Sequence, residues 1–374
     1  MIAYFDNSAT TKPCAEAVTA MSEALTEYWG NPSSLHVLGV NVHRKVEAAR
    51  RSVARALGAE PERVFFTSGG TEADNWAIFS TARRLGKRGR HVITTQIEHH
   101  AVLHPMKELE AQGFEVTYLA PEKDGTVTLE ALRSALRPDT ILVSVMLVNN
   151  EVGSVMPIQA MAKLTHRLAP NAIFHTDAVQ GFLKIPFRAS TLEADLISVS
   201  SHKVHGPKGA GALYIRKGLS LPPYLHGGGQ ESGYRSGTEA VPAILGFGAA
   251  CQAALGSLRV DLAREAALRD LAIARLSAID GVVINGAHAA PHILSFAIPG
   301  LRSQGIINCL QDRQVYVSAG SACAKGHRSH VLEAMGLESN VIDGSVRASL
   351  SRFTTEAQVE QLALAVAEAA ARLR

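Results

Sequence analysis

Leu196-Ile197-Ser198-Val199-Ser200-Ser201-His202-Lys203 is a mainly apolar run that ends in a block of four polar side chains. A short run of this kind suits a strand buried on both faces of a parallel sheet. Open α/β sheets present ligand groups just beyond the carboxyl ends of such strands, so the run predicts Ser200 to Lys203 at a functional edge. A lysine there is placed to form a Schiff base, and partial burial would lower its pKa. Lone lysines are far more often surface features, so Lys203 needs companions.

The same texture repeats on either side. Val64–Thr67, His91–Thr94, Val116–Leu119, Thr140–Val148, Ala172–His175 and Ala212–Ile215 also read as strands, with amphipathic helices such as Val42–Leu57 and Leu129–Leu136 between them. That alternation predicts an α/β fold, a mostly parallel central sheet covered by helices. From about Leu255 the texture becomes Ala/Leu/Arg-rich helix to about Ile279, and shorter strands follow at Val282–Ile284, Ile293–Phe296 and Val315–Val317. Thr355 and Gln358 form a capping-box signature before a helical stripe at Val359, Leu362, Val366, Ala369 and Leu373. The expected division is a large domain over 13–255 and a smaller α+β C-terminal domain over 256–374, with segment 1–12 packing on the latter.

Length and composition fit this division. The chain has 374 residues, 47% hydrophobic and 19% charged, enough for a large core without disulfide staples. A net charge of +3 is too small to argue for nucleic acid as a main partner. The N-terminal MIAYFDNSATTK lacks the basic flank and apolar stretch of a signal peptide, and the apolar run Ile141–Val148 is too short to span a bilayer. The expected location is the cytoplasm, with no membrane contact.

Two further strand ends supply companions for Lys203. Thr67-Ser68-Gly69-Gly70-Thr71-Glu72-Ala73 is a strand entering a glycine turn and then a helix. Free N–H groups at such a helix start make a phosphate cradle, although a capped helix after a turn reads the same way. The pattern is neither a dinucleotide fingerprint nor a Walker loop. Asp177, in Ile173-Phe174-His175-Thr176-Asp177-Ala178-Val179-Gln180, stands where an acid would keep a pyridinium nitrogen protonated. An amine, an acid and a phosphate cradle at neighbouring strand ends are the minimum equipment for pyridoxal 5'-phosphate. His99, in Glu98-His99-His100, lacks a third ligand at metal spacing, so no metal is expected. An imidazole stacked on the cofactor ring and moving protons fits better.

Of the four cysteines, Cys14, Cys251 and Cys309 have helical or apolar surroundings. Cys323 lies in Ser321-Ala322-Cys323-Ala324-Lys325-Gly326-His327-Arg328, too polar a setting for burial, and its basic neighbours should favour the thiolate.

These residues resemble the cysteine desulfurases, in the class-V aminotransferase group of fold-type I pyridoxal-phosphate enzymes. The likeness spans nearly the whole chain and includes Asp6–Thr11, Gly30–Ser34, Asn149-Asn150-Glu151, Gly206–Gly209, Gly227–Glu231, Arg235–Thr238 and Arg347–Thr354. It implies that Lys203 binds the cofactor covalently, Asp177 pairs with the ring nitrogen, His99 stacks on the ring and Gln180 reaches its phenolic oxygen. Asn150 lies beside cofactor and substrate on the same side. Gly70, Thr71, Ser200 and His202 hold the phosphate, joined by Thr238 from the second subunit of a homodimer. Arg347 grips the substrate carboxylate, and Cys323 takes sulfur from L-cysteine as a persulfide for a sulfur-acceptor protein. That acceptor would be an iron–sulfur scaffold or an enzyme of tRNA or cofactor thiolation. Two departures stand out: the segment after Cys323 is short, and Ser232 replaces a common arginine. An aminotransferase on this scaffold would not need Cys323, and a selenocysteine lyase would discriminate against sulfur. A non-catalytic sulfur-transfer scaffold would not need all five of Lys203, Asp177, His99, Arg347 and Cys323.

Overall fold

Apolar runs of four or five residues, buried at every position, make the middle of this molecule. The computed structural model describes residues 2–319 and 328–373. Its strands are β1 (Ala3–Tyr4), β2 (Val64–Thr67), β3 (His91–Thr95), β4 (Glu115–Leu119), β5 (Thr140–Ser144), β6 (Ile173–Asp177), β7 (Leu196–Ser200), β8 (Gly211–Ile215), β9 (Val283–Asn285), β10 (Ile293–Ala297), β11 (Val315–Tyr316) and β12 (Ser345–Ser349). A seven-stranded sheet has the order β2-β8-β7-β6-β5-β3-β4. Within it β3 to β7 pair in parallel, and β8 alone runs against its neighbours β2 and β7. Six strands therefore deliver their carboxyl ends to one edge. The outermost strand, β4, is polar and partly exposed, as an edge requires.

Helices cover both faces of this sheet. Trp76, Ala77 and Ile78 of helix Gly70–Leu85 pack on one side with Phe65 and Leu213, while Val46, Val53 and Leu57 of helix Val37–Leu57 join the other core with Phe66 and Phe174. A second, antiparallel sheet, β12-β10-β9, has its own core with Leu294, Phe296, Val346 and the stripe Val359, Leu362, Val366 and Ala369. The expected capping box forms on helix Glu356–Leu373. The Gln358 backbone N–H donates to Thr355 Oγ1 at 3.3 Å, and the Thr355 N–H donates to Gln358 Oε1 at 3.0 Å.

Two elements differ from the sequence expectation. The apolar run 140–148 leaves the sheet after Ser144, and Val148 instead bridges to Val155. That departure turns Met146 and Val148 toward the cavity described below. The helix expected from Leu255 begins at Val241 and runs unbroken to Ser277, through the anticipated boundary. Its first half, with Ile244, Leu245 and Phe247, packs in the core of the larger sheet, and its second half, with Leu268, Ala272 and Leu276, packs in the core of the smaller one. By length and apolar composition it is the one helix among the described residues able to cross a bilayer, but half of its most apolar stretch is buried in the fold.

The N-terminal segment ties both sheets together. β1 pairs with β11, Phe5 sits in the smaller core, and the Asn7 side-chain amide donates to the Ser349 carbonyl at 2.8 Å. A few residues on, the Thr11 N–H and hydroxyl both donate to the His202 carbonyl at 2.9 Å, beyond the end of β7.

Candidate active site

Strand ends converge on a cavity of about 280 Å³. After β2 come Gly70 and Thr71, after β3 His99, after β5 Met146, Val148 and Asn150, at the end of β6 Asp177 with Val179 and Gln180, and at the end of β7 Ser200, His202 and Lys203. Arg347, from β12 of the smaller sheet, closes the remaining side. All site residues expected from the sequence are thus brought together except Thr238 and Cys323. Cys323, with Lys325 and His327, lies outside the described residues. Thr238 is exposed and does not line this chain's cavity.

Each side chain is held by its local backbone. Lys203 Nζ donates to the Ala9 carbonyl at 2.8 Å and to that of Ser8, so the N-terminal segment holds the amine in the cavity. His99 caps helix His100–Ala111: its Nδ1 accepts from the Ala101 N–H at 3.1 Å, which leaves the proton on Nε2. Burial, with Lys203 nearby, pushes His99 down to about 4, so the ring is neutral at physiological pH. Burial, with the positive charges of Lys203 and Lys208, does the same to His202.

Asp177 accepts from the Val179 N–H at 2.9 Å, and burial plus the neighbouring Asp74 push its carboxyl up to about 7. Buried Asp74, also pushed up to about 7 by burial, was not singled out in the sequence, although it lines the cavity. Its signal was an acid among the apolar positions of helix Gly70–Leu85. Ser8 and Ala9 were also missed individually, because a carbonyl acceptor leaves no trace in residue type.

Arg347 is buried on β12. Its guanidinium donates to the Asn150 carbonyl and to Asp6 Oδ1, both at 2.9 Å, which fixes the plane of the fork. Arg328 forks onto Asp343 at 2.7 and 2.8 Å.

The residues fit the expected cofactor. Ser200 Oγ is buried without a hydrogen-bond partner among the described residues, beside the helix start that carries Thr71. A Cβ on Gly70 would lie 2.7 Å from Val179 Cγ2, so only glycine lets this turn close on the cavity wall. A hydroxyl awaiting a partner at a helix N-terminus is what a phosphate ester satisfies. Among the described residues, no group of three or more His, Cys, Asp or Glu is arranged to hold a metal.

The loop bearing Thr238 is pinned at two points. Glu231 forks onto Arg50 at 2.7 and 2.8 Å and accepts from the Phe66 N–H at 2.8 Å. Arg235 pairs with Glu72 at 2.7 Å. Ser232, between these anchors, adopts φ 57°.

The family model for aminotransferase class-V matches residues 3–362. The chain belongs to the class-V aminotransferase family. Within that family it is 43% identical, over 99% of its length and 92% of the relative's, to a protein named cysteine desulfurase IscS from Methanosarcina thermophila. A solved NifS-like protein superposes with a TM-score of 0.94 at 39% identity over the whole of both chains. The structure of SspA in complex with cysteine superposes with a TM-score of 0.80 at 33% identity, covering 94% of this chain and 99% of that one. This class-V member thus shares the fold-type I architecture: a mostly parallel sheet flanked by helices.

Proposed function

We propose that this chain is a pyridoxal-phosphate-dependent cysteine desulfurase, a homodimer that converts L-cysteine to L-alanine and passes the sulfur through Cys323 to an acceptor protein. The observation that carries this reading is the enclosure of Lys203, Asp177, His99 and Arg347 in one cavity at the carboxyl edge of the sheet. Relatives named as cysteine desulfurases support the reaction class.

Lys203 would hold the cofactor covalently, with Thr71, Ser200 and His202 on the phosphate, Asp177 on the ring nitrogen and Gln180 on the phenolic oxygen. When bound, the cofactor supplies an electron sink that labilises bonds at the substrate α and β carbons. Arg347 binds the substrate carboxylate with its two-pronged fork, already oriented by Asp6 and the Asn150 carbonyl. The Lys203 amine moves the proton at the substrate Cα. Neutral His99, fixed with its proton on Nε2, would offer an N–H donor to the bound cofactor or substrate. The Cys323 thiolate attacks the substrate sulfur: an S–S bond forms as the C–S bond breaks. The electron pair of that bond passes to carbon, where a proton completes alanine. Thr238, held outward by the Glu231 and Arg235 anchors, would complete the phosphate site of the partner subunit. An iron–sulfur scaffold or a thiolation enzyme would take the persulfide. Cytoplasmic location fits three free cysteines among the described residues.

The test is incubation of the reconstituted protein with L-cysteine, measuring alanine and sulfide, then mass spectrometry of the thiols. Stoichiometric alanine with one extra sulfur on Cys323 is expected. Cys323→Ser should retain the cofactor and lose sulfur transfer. Absence of alanine from the wild type, or persulfide mainly on Cys14, Cys251 or Cys309, overturns the reading.

A further inference from the structure

Beneath the cavity, between the two cores, lies a second set of buried charges that the chemistry above does not use. Lys184 and Glu265 are both buried. They line a small cavity of about 30 Å³ together with Lys203, His205, Leu350 and Arg352. Lys184 follows β6 by seven residues, and Glu265 lies on the half of helix Val241–Ser277 that packs with the smaller sheet. Isolated charges in such places are costly, so a buried lysine calls for a carboxylate or a task.

The contact made by Lys184 is specific. Its Nζ donates to Gln180 Oε1 at 3.5 Å, and Gln180 Nε2 donates to the Ser8 carbonyl at 2.9 Å. That carbonyl also accepts from Lys203 Nζ. A glutamine amide is nearly symmetric in shape, so its orientation is set by what its two ends meet. An ammonium group has donors only, so it accepts nothing from the amide nitrogen and draws the oxygen toward itself. The NH₂ is thereby left facing Ser8 and the cavity.

We infer that Lys184 is a positioning residue that fixes the Gln180 amide with its nitrogen toward the cavity, and that Glu265 is the counter-charge that lets this lysine stay buried. The inference rests on the proposed function in one respect: the acceptor awaiting that nitrogen is the phenolic oxygen of the cofactor. Burial pushes the Lys184 amine down and the Glu265 carboxyl up, and each is opposed by the other's charge. Lys203 and Arg347 add to the pressure on Lys184. His202, His205 and His292 feel its charge, and Glu265 is faced by Asp261, Arg264 and Arg352.

The experiment is a pH titration, without substrate, of the visible band that reports cofactor attached to Lys203. A donor at the phenolic oxygen and a nearby cation both favour the less positive state of that linkage. In Lys184→Met the midpoint should therefore rise, by about one unit for the loss of a charge-bearing neighbour. The apo melting temperature should fall, because Glu265 loses its counter-charge, and Lys184→Met combined with Glu265→Gln, which removes both charges, should recover it. In a Gln180→Ala background the same substitution should shift the midpoint much less, the signature of action through Gln180. A wild-type midpoint in Lys184→Met, or an equal shift with and without Gln180, overturns the inference. Should Lys184→Met not fold, Lys184→Gln carries the same titration, because it keeps polarity and length but restores the ambiguity of the Gln180 amide; a wild-type midpoint there also overturns it. A wild type that shows no such band instead refutes the proposed function.

Discussion

Asp177 sits at the end of β6 with Asp74 beside it, and burial pushes both carboxyls up to about 7. The unfolded value is near 3.9, so between about pH 4 and 7 the folded chain holds a proton at Asp177 that the unfolded chain has lost. The stability this contributes is full at low pH and is lost as pH rises through about 7. Asp177→Asn should therefore stabilise the cofactor-free protein at pH 8 by about 2 °C or more in melting temperature, with a smaller gain at pH 5. An equal change at both values would show that Asp177 is not the titrating group. The same variant should hold the cofactor weakly, since no anion then faces the ring nitrogen. Arg347→Lys should raise KM for L-cysteine about tenfold, the worth of one charge-assisted bond. Unchanged steady-state constants would remove Arg347 from the carboxylate site. Lys203, Asp177 and His99 were legible because each follows an apolar strand, whereas Asp74 and the Ser8 and Ala9 carbonyls act through burial and backbone placement.

Among elements, the loop from Gly227 to Thr238 depends on its ion pairs. Truncating Glu231 to alanine leaves the largely buried Arg50 guanidinium with only the partly exposed Glu47 as counter-charge and the Phe66 N–H without its acceptor. The expected loss is about 3 kcal/mol, read as a lower denaturant midpoint at unchanged slope. A loss below about 1 kcal/mol would mean that solvent reaches Arg50 readily. The strands of the central sheet were readable because buried parallel strands are short apolar runs. The start of helix Val241–Ser277 was not, because Pro242, Gly246 and Gly248 look like turn residues. Here the proline sits in the first helical turn, where its missing N–H costs nothing. A Cβ on Gly248 would lie 2.6 Å from Ala49 Cα, so that glycine serves close helix packing. The run 140–148 misled in the opposite direction: past Ser144, Met146 and Val148 border the cavity while Val145 and Leu147 pack in the core, and none of the four extends the strand.

At the scale of the whole molecule, Thr238 is exposed and lies outside its own chain's cavity, and under the proposed function a second copy would bring it to the phosphate site. Cofactor retention should then depend on protein concentration, and dilution into cofactor-free buffer should release it as dimers dissociate. Release at one rate across dilutions that span the dimer-to-monomer transition, checked by sedimentation, would place the whole phosphate site within one chain. The N-terminal segment raises a different matter, that of timing during synthesis. Ala3 and Tyr4 pair with Val315 and Tyr316, and Asn7 and Ser8 bond Ser349. Ser8 and its neighbour Ala9 hold the Lys203 amine. At about 5–20 residues per second, a ribosome takes about 7–27 s to travel from Ile215, the end of the larger sheet's last strand, to Ser349. Throughout that interval the larger sheet has all its strands and Thr11 can already bond His202, while the β12 partner of Asn7 and Ser8 is still to come. The pocket, whose wall includes Arg347, can therefore close only after β12 has been made.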